Sequence, residues 1–423
     1  MAIFELAYLA LINMETLEQK ALQYHSLGQP GKTAVQITKS VATQDDLSLA
    51  YSPGVAAPCI EINKDPAMAY EFTAKGNLIG VITNGTAVLG LGNIGALAGK
   101  PVMEGKAVLF KKFAGIDAFD IELDETDPDK LVEIIAALHP TFGGINLEDI
   151  KAPECFVIER RLRERLTIPV FHDDQHGTAI VVGAGLLNAV QLTGRDISRI
   201  KVVCSGAGAA AMACLEMLLE LGVQRQHITV CDSRGVLSTE RELSEEKRAW
   251  ARETEAKTLS DAIGAADVFL GLSGPGLLSQ DDVKKMAPKP IVFTLANPEP
   301  ELRPELVREA APEAIIATGR SDYPNQINNA LCFPYLFRAA LDAGASSINQ
   351  AMKRACVLAL AELAREDKQF GKDYIVPTLL DPRLLIEVTP KVASAAHDSG
   401  VARRNLVPQA YRERLQALAA TLG

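Results

Sequence analysis

A short apolar run that turns abruptly into a helical stretch is the feature that most restricts how this chain can fold. Residues 202–204 are apolar, and residues 206–211 then follow the pattern G-x-G-x-x-A before an apolar helical stretch. In that pattern the first glycine permits a tight turn, the second lets a pyrophosphate approach the backbone, and the small last residue lets helix and strand pack closely. The helix N-terminus offers unpaired N–H groups and a positive dipole end to phosphates. The pattern therefore predicts a strand, a turn and a helix that bind a dinucleotide.

A carboxylate follows this turn at the distance expected for ribose binding. Asp232 lies 21 residues after Ala211, at the end of the next apolar run. A tightly packed turn without a ligand is the alternative interpretation, and the strand before the glycines and the acid after them count against it. The acid suggests NAD, whereas Arg234 could hold the 2′-phosphate of NADP, so both stay open with a lean towards NADP. The expected nucleotide contacts, including one at a predicted strand end on the sheet rim, are Gly206, Ala207, Gly208, Ala209, Ala210, Asp232, Ser233, Arg234 and Asn297.

The chain divides near residues 155–175, and after that point it alternates strand and helix at the ~30-residue spacing of βαβ units. Short apolar runs predict buried parallel strands at 202–204, 228–231, 268–270, 291–295 and 314–317. Helices are expected at 129–138, 153–165, 178–193, 209–221, 244–255 and 348–366. Gly-rich turns are expected at 77–85 and 90–99. The predicted fold class is α/β, with a smaller N-terminal α/β domain at 1–160 and a doubly wound Rossmann-type domain with C-terminal helices at 161–423.

Composition excludes several classes of protein. With 423 residues, 48% hydrophobic and 23% charged, the chain suits a folded protein with two cores, and a net charge of −10 without a basic stripe argues against nucleic acid or an anionic membrane as partner. The seven cysteines never form a C-x-x-C pair, which favours reduced thiols and a cytoplasmic location. No apolar run reaches the ~20 residues that span a bilayer. Residues 2–12 are apolar but lack a basic start, so an N-terminal helix packed on the body or on a second subunit is expected instead of a signal peptide.

Two pairs of carboxylates predict a metal site. Glu148 and Asp149 follow a Gly-Gly turn, and Asp173 and Asp174 follow an apolar run just before a predicted helix. Acids brought together repel one another unless a cation neutralises them, and oxygen ligands favour Mg²⁺ or Mn²⁺ over zinc. Helix capping is the alternative interpretation of the second pair. The histidines at 172 and 176 are expected in the turn before that helix, with a supporting role and not as zinc ligands.

Two further residues are candidates for acid and base. Tyr51 leads into a Pro-Gly turn, and Lys106 follows a glycine and precedes an apolar run that begins a strand or a helix. Apolar neighbours would partly desolvate the lysine, and a nearby metal would lower its pKa further, so that it could act as a general base. The alternative interpretation makes both residues ordinary surface features at element ends.

Taken together, these blocks resemble the malic enzymes, and their bacterial branch in particular. The resemblance covers roughly residues 15–410 and rests on several separate segments. They are 51–58, 84–99 (NGTAVLGLGNIGALAG), 106–117, 146–152 (NLEDIKA), 171–178 (FHDDQHGT), the GAGAAA turn and 318–329 (TGRSDYPNQINN).

The resemblance implies an activity and a set of site residues. It implies divalent-metal-dependent oxidative decarboxylation of L-malate to pyruvate and carbon dioxide with reduction of NAD or NADP, in a homodimer or a dimer-based oligomer. It makes Tyr51 the general acid and Lys106 the general base, with Asp173 beside the lysine. The metal ligands would be Glu148, Asp149 and Asp174, and the contacts to substrate or nicotinamide would be Asn297 and Asn329.

Several points stay open at this stage. Animal relatives carry an arginine ahead of the G-L-G block that grips a substrate carboxylate, and this chain has Ala87 there. Regulation through a C-terminal acyltransferase-like domain, which some bacterial relatives carry, is not expected. Translation could begin at Met1 or Met14. The rival interpretations are a metal-free amino-acid-type dehydrogenase and a nucleotide-sensing protein without catalysis.

Overall fold

Two parallel sheets, each flanked by helices, form the body of the protein in a computed structural model that describes residues 16–422. The helix expected at 2–12, and the alternative start residues Met1 and Met14, lie outside the described residues. Within 16–422 no helix is both long and apolar enough to cross a membrane. All seven cysteines are free thiols, and six of them are buried. The predicted α/β fold class is confirmed.

The first sheet has four strands in the order β2-β1-β3-β4, and all of its pairings are parallel. Its strands are β1 (Leu78–Thr83), β2 (Asp117–Glu122), β3 (Gly144–Leu147) and β4 (Val170–His172). Helices of this part are α1 (Leu17–Ser26), α2 (Gln44–Ala50), α3 (Ala56–Lys64), α4 (Ala69–Phe72), α5 (Ala96–Ala114), α6 (Pro128–Leu138) and α7 (Glu154–Arg165). Strands β1 and β3 are the two central strands, and β1 is fully buried. The residues that follow β3 therefore emerge from the middle of the sheet and not from its edge.

The second sheet has six strands in the order β10-β9-β8-β5-β6-β7, and only the short β7 runs antiparallel. The strands are β5 (Val202–Ser205), β6 (Ile228–Asp232), β7 (Gly235–Val236), β8 (Val268–Gly271), β9 (Ile291–Thr294) and β10 (Ile315–Thr318). The five parallel strands therefore follow the doubly wound order 2-1-3-4-5, which reverses between β5 and β8. Ligands of such sheets bind at the carboxyl ends of the two strands beside that reversal.

The second part of the chain is mostly helical between these strands. Its helices are α8 (Asp173–Thr193), α9 (Ala209–Glu220), α10 (Glu245–Arg248), α11 (Leu259–Ala262), α12 (Gln280–Lys285), α13 (Pro304–Ala310), α14 (Phe333–Asp342), α15 (Gln350–Arg365), α16 (Leu384–Asp398) and α17 (Pro408–Leu422). Helix α8 starts directly at the end of β4, the last strand of the first sheet. It is buried on nearly every side and packs against α9 and α15, so it belongs to the second part of the chain.

Several sequence expectations need correction. The helix predicted from 178 begins at Asp173, so His176 lies in its first turn and not in a preceding loop. The helix expected at 244–255 is only the single turn Glu245–Arg248. The turn expected at 77–85 is mostly strand β1, and Lys106 lies inside α5 instead of at an element end. The domain boundary expected at 160 stays a prediction; it lies within α7, and the last strand of the first sheet ends at His172.

Candidate active site

A cavity of about 690 Å³ opens between the two sheets where their central strands end. Its wall from the first part of the chain comes from α5 and from the loop after β3. Its opposite wall comes from the start of α9 and from the loops after β8, β9 and β10. The cavity therefore brings the dinucleotide turn and the predicted acidic residues together. It lies beside the reversal in strand order, where sheets of this kind bind their ligands.

The predicted metal ligands meet at the edge of this cavity. One oxygen each from Glu148, Asp149 and Asp174 lies within 4.8 Å of the other two. The loop after β3 reaches Asp174 through a hydrogen bond from the backbone N–H of Asp149 to Asp174 Oδ2 (2.8 Å), and Asp149 adopts a positive φ of 54° there. The acidic residues expected from the sequence to converge therefore do so, from two elements 25 residues apart.

The electrostatics of this cluster favour a cation. Burial, with the neighbouring acids, raises the pKa of Glu148 well above its usual value, although the Lys106 charge opposes the shift. Burial and the charge of Asp174 raise the pKa of Asp149 to about 8. Asp149 Oδ2 is also buried without a hydrogen-bond partner among the described residues. Three oxygen donors with one unpartnered atom are a donor set that fits a hard divalent cation such as Mg²⁺ or Mn²⁺.

Lys106 projects from α5 into the same place. Its Nζ lies 2.5 Å from Asp173 Oδ2 and 2.9 Å from Glu148 Oε1, and 4.6 Å from the centre of the Phe333 ring. Burial by itself would lower the pKa of Lys106, but the charges of Asp173, Glu148 and Asp174 outweigh it and raise the pKa above its usual value. The expectation of a lowered pKa is therefore wrong for the protein without a cation, because sequence alone did not place three acids around the amine.

Asp173 is fixed on its other side by Asn329. The Asn329 amide donates to Asp173 Oδ2 (3.1 Å), and its carbonyl oxygen accepts from the Thr178 hydroxyl (3.0 Å). A Cβ at Gly177 would lie 2.1 Å from Asp173 Oδ1, so only glycine leaves room for this arrangement. Asn329, expected to contact substrate or nicotinamide, thus lines the cavity while its side chain orients the acid beside Lys106.

The glycine turn has the close packing that a dinucleotide site requires. Gly206 has φ +121°, and a Cβ there would lie 2.2 Å from the carbonyl oxygen of Leu272 in the loop after β8. Gly208, Ala209, Ala210 and Ala211 line the cavity at the start of α9, whose first-turn N–H groups face the site that phosphates use in this fold.

Asp232 is already held by two cations. Arg241 reaches both of its carboxylate oxygens (2.9 and 3.0 Å), and Lys247 Nζ lies 2.9 Å from Oδ2. Burial opposes the charge of Asp232, but the bonds from Lys247 and Arg241 prevail and lower its pKa. Ser233 and Arg234 are exposed beside it. Sequence reasoning missed Arg241 and Lys247, because they belong to a charged stretch with no nucleotide pattern.

Asn297 lines the cavity in the loop after β9. A Cβ at Gly319 would lie 2.5 Å from Asn297 Nδ2, and one at Gly90 would lie 2.6 Å from the Asn297 carbonyl oxygen. Loops from both sheets therefore close on this residue. Ala87 lines the cavity where the animal relatives have an arginine, and the positively charged side chains among the described lining residues are Lys106 and Lys151. The sequence alone did not single out Lys151.

Tyr51 is not brought to this cavity. Its side chain follows α2 and is 72% exposed, and it is absent from the described lining residues. Helices α1, α2 and α3 bury no residue at all, and their segment exposes large apolar side chains such as Leu22, Val35 and Leu49. Such a surface is unusual for a chain that acts alone.

Comparison with known proteins agrees with this geometry. Family models described as "Malic enzyme, N-terminal domain" and "Malic enzyme, NAD binding domain" match residues 30–163 and 175–399. The chain is 59% identical over 418 residues to an NADP-dependent malic enzyme of Salmonella typhimurium, covering 95% of this chain and 55% of the relative. It is 55% identical over 415 residues to an NAD-dependent malic enzyme of Rhizobium meliloti, covering 94% of this chain and 54% of the relative. The chain thus spans about half the length of these curated relatives.

A solved structure extends the comparison to the fold. The crystal structure of malic enzyme from Pyrococcus horikoshii superposes with a TM-score of 0.90 at 44% identity, covering 96% of both chains. The two-sheet architecture is therefore shared over nearly the whole of this chain.

Proposed function

This chain belongs to the malic enzyme family, and from that premise we propose that it converts L-malate to pyruvate and carbon dioxide while reducing NAD(P). The observation that carries the proposal is the contact of Lys106 with Asp173 and Glu148 beside a three-carboxylate cluster, in a cavity that also contains the dinucleotide turn. A Rossmann turn accounts for oxidation, and clustered acids account for a cation that assists decarboxylation.

The proposed ligands of Mg²⁺ or Mn²⁺ are Glu148, Asp149 and Asp174. When bound, such an ion polarises a substrate carbonyl and stabilises negative charge that develops on its oxygen. The unpartnered Oδ2 of Asp149 and the raised pKa of two of the three acids support this assignment. Helix capping does not explain the position of Asp174, because the N-cap residue of α8 is His172.

Lys106 is the proposed base. It would accept the proton of the substrate hydroxyl at Nζ while the hydrogen on the same carbon leaves as hydride to the nicotinamide. Neutralising the acids that raise its pKa would bring the amine towards the range in which it can accept a proton. Asn329 and Asp173 would keep the amine oriented, and Lys151 would face a carboxylate of malate where animal relatives use arginine.

Tyr51 is the proposed acid, which would protonate carbon after loss of carbon dioxide and so release pyruvate. Its exposure leads us to propose a homodimer in which a second copy covers the segment 16–64. Mixing Tyr51→Phe protein with Lys106→Ala protein tests where it acts. Regained turnover would assign Tyr51 to the partner's cavity, and no gain in mixed dimers would assign it to its own.

NADP is the proposed cofactor. Arg241 and Lys247 both contact the carboxylate of Asp232, and Arg234 is its near neighbour in sequence. The positive charges outnumber the single negative one, at the point where the 2′ position of the adenosine ribose lies in this fold. The carboxylate oxygens of Asp232 that would accept ribose hydroxyls in an NAD enzyme are already engaged.

The experiment that tests the proposed function is nicotinamide reduction with L-malate and Mn²⁺, run separately with NAD and NADP and with and without EDTA. We expect turnover with pyruvate as product, faster with NADP, and its loss in EDTA. EDTA-resistant oxidation of an amino acid would favour the metal-free dehydrogenase. A folded protein that binds nucleotide without turnover would favour the sensor.

A further inference from the structure

Behind the acidic cluster lies a buried chain of three polar side chains that the proposed reaction does not use. Glu159 comes from α7, His176 from α8 and Lys353 from α15, and Glu159 and Lys353 are 6% and 8% exposed. His176 Nε2 lies 2.9 and 3.0 Å from the two Glu159 oxygens. Lys353 Nζ lies 3.3 Å from His176 Nδ1. The chain therefore joins helices of both parts of the protein.

The chemistry of the three groups fixes their protons. An ammonium can only donate, so Lys353 donates to Nδ1 of His176, and the ring must then carry its own proton on Nε2 and donate to Glu159. A neutral imidazole thus bridges a buried anion and a buried cation that would otherwise lie apart and unpaired.

Glu159 holds the start of α8 on both sides of the functional acids. One of its oxygens also accepts the backbone N–H of His172 (3.3 Å), the residue directly before Asp173 and Asp174. His176 follows the two acids within the same first turn of the helix. N–H groups at a helix start have no partner inside the helix, so this carboxylate replaces one. Holding residues 172 and 176 fixes the rotation of the turn that carries both acids.

We propose that Glu159, His176 and Lys353 are positioning residues that aim Asp173 at Lys106 and Asp174 at the cation. The inference rests on the proposed function for its meaning, but its geometry is independent of it. A misplacement of about 1 Å in such a turn is enough to cost ~10²-fold in rate. Loss of comparable supporting bonds weakens metal binding by roughly 10- to 100-fold.

The test uses the intact protein and measures binding before activity. Glu159→Leu removes both carboxylate oxygens while keeping much of the side-chain volume, so neither the His172 N–H nor the His176 ring keeps its acceptor. We expect its Mn²⁺ dissociation constant, measured by electron paramagnetic resonance, to rise about tenfold. The NADPH dissociation constant, measured by fluorescence, should stay within about twofold, because the glycine turn is untouched.

Lys353→Met, which keeps the stem and removes the charge, is the second variant and should show a smaller rise of the same kind. Asp342→Asn is the matched control, because Asp342 is 8% exposed and paired with Arg338, but neither lines the cavity. Asp342→Asn should lower the melting temperature without changing Mn²⁺ binding.

Wild-type Mn²⁺ affinity in folded Glu159→Leu or Lys353→Met protein would overturn the inference. So would weakened Mn²⁺ and NADPH binding in equal measure, with Asp342→Asn behaving likewise, since that pattern means general loosening. A wild-type protein that binds Mn²⁺ and NADPH but leaves malate unchanged would refute the proposed function alone. The Mn²⁺ constants of the variants would still decide whether the chain positions the acids.

Discussion

Replacing Asp174 by asparagine should have two effects of opposite sign, stabilising the cation-free protein while weakening its hold on the cation. Asp174 belongs to a set of three carboxylates with oxygens within 4.8 Å of one another. Its Oδ2 accepts the Asp149 N–H, a bond that the asparagine carbonyl can keep. The substitution therefore removes a charge with little change of shape.

The size of the first effect follows from Coulomb's law. Two unit charges 4.8 Å apart repel by about 3 kcal/mol at an effective dielectric constant of ~20. Asp174 contributes two of the three pairs, but the pKa of about 8 for Asp149 means that this partner is largely protonated at pH 7. Nearby Lys106 offsets part of the remainder. We expect a net stabilisation of about 1–3 kcal/mol, or a rise of a few degrees in melting temperature.

The assay is thermal unfolding of wild type and Asp174→Asn in EDTA and in a Mn²⁺ titration. The variant should melt higher in EDTA, and Mn²⁺ should raise its melting temperature much less than that of wild type. Asp127→Asn is the matched control, because Asp127 is a true N-cap of α6 that accepts from two backbone N–H groups and lies outside the cluster. A lower melting temperature for Asp174→Asn in EDTA, with an unchanged Mn²⁺ response, would refute the electrostatic reasoning and give Asp174 a structural role at the start of α8.

Three further predictions concern the same cavity. Lys106→Ala should lower turnover by ~10³-fold or more while NADPH binding stays nearly intact, and near-wild-type turnover would remove the lysine from the mechanism. Arg241→Ala with Lys247→Ala should lower kcat/KM about tenfold for NADP and much less for NAD, whereas an equal loss for both would contradict the 2′-phosphate assignment. The pKa of Asp149 lies near 8 in the folded, cation-free protein, above its unfolded value, so this group's contribution to stability is present at low pH and is lost as pH rises through 8. Because Mn²⁺ must displace that proton, its apparent affinity by calorimetry should rise up to about tenfold per pH unit below 8 and level off above, and a pH-independent affinity would count against the assignment.

The dinucleotide turn and the acidic pairs were predictable because their signals are local. The strand, the tight turn and the helix follow one another within a few residues, and the spacing of Gly206 and Gly208 can be read directly from the sequence. Helix α5 was not predictable in the same way, since it contains Gly99, Pro101 and Gly105, which normally interrupt helices. Burial of its apolar face, not intrinsic propensity, holds it together and delivers Lys106.

Supporting contacts escaped the sequence for a different reason. Glu159 stands before two arginines in a helix rich in charged side chains, so its pattern is that of a solvated face. Its partner His176 lies in α8, and Lys353, which contacts His176, comes from α15 much later in the chain. Charge pairs across such distances have no local signal, and the same holds for the two cations on Asp232.

The position of Lys106 connects the two halves of the proposed reaction. Without a cation, the acids around its amine raise its pKa, so it keeps its proton and cannot take one from a hydroxyl. The same Glu148 that contacts the amine is one of the three cluster carboxylates. Neutralising the cluster therefore weakens the field that holds the proton on Lys106. If the cluster binds a cation as proposed, the acids would also keep Lys106 protonated until the cation is present, and oxidation of the substrate would be tied to the group that assists its decarboxylation.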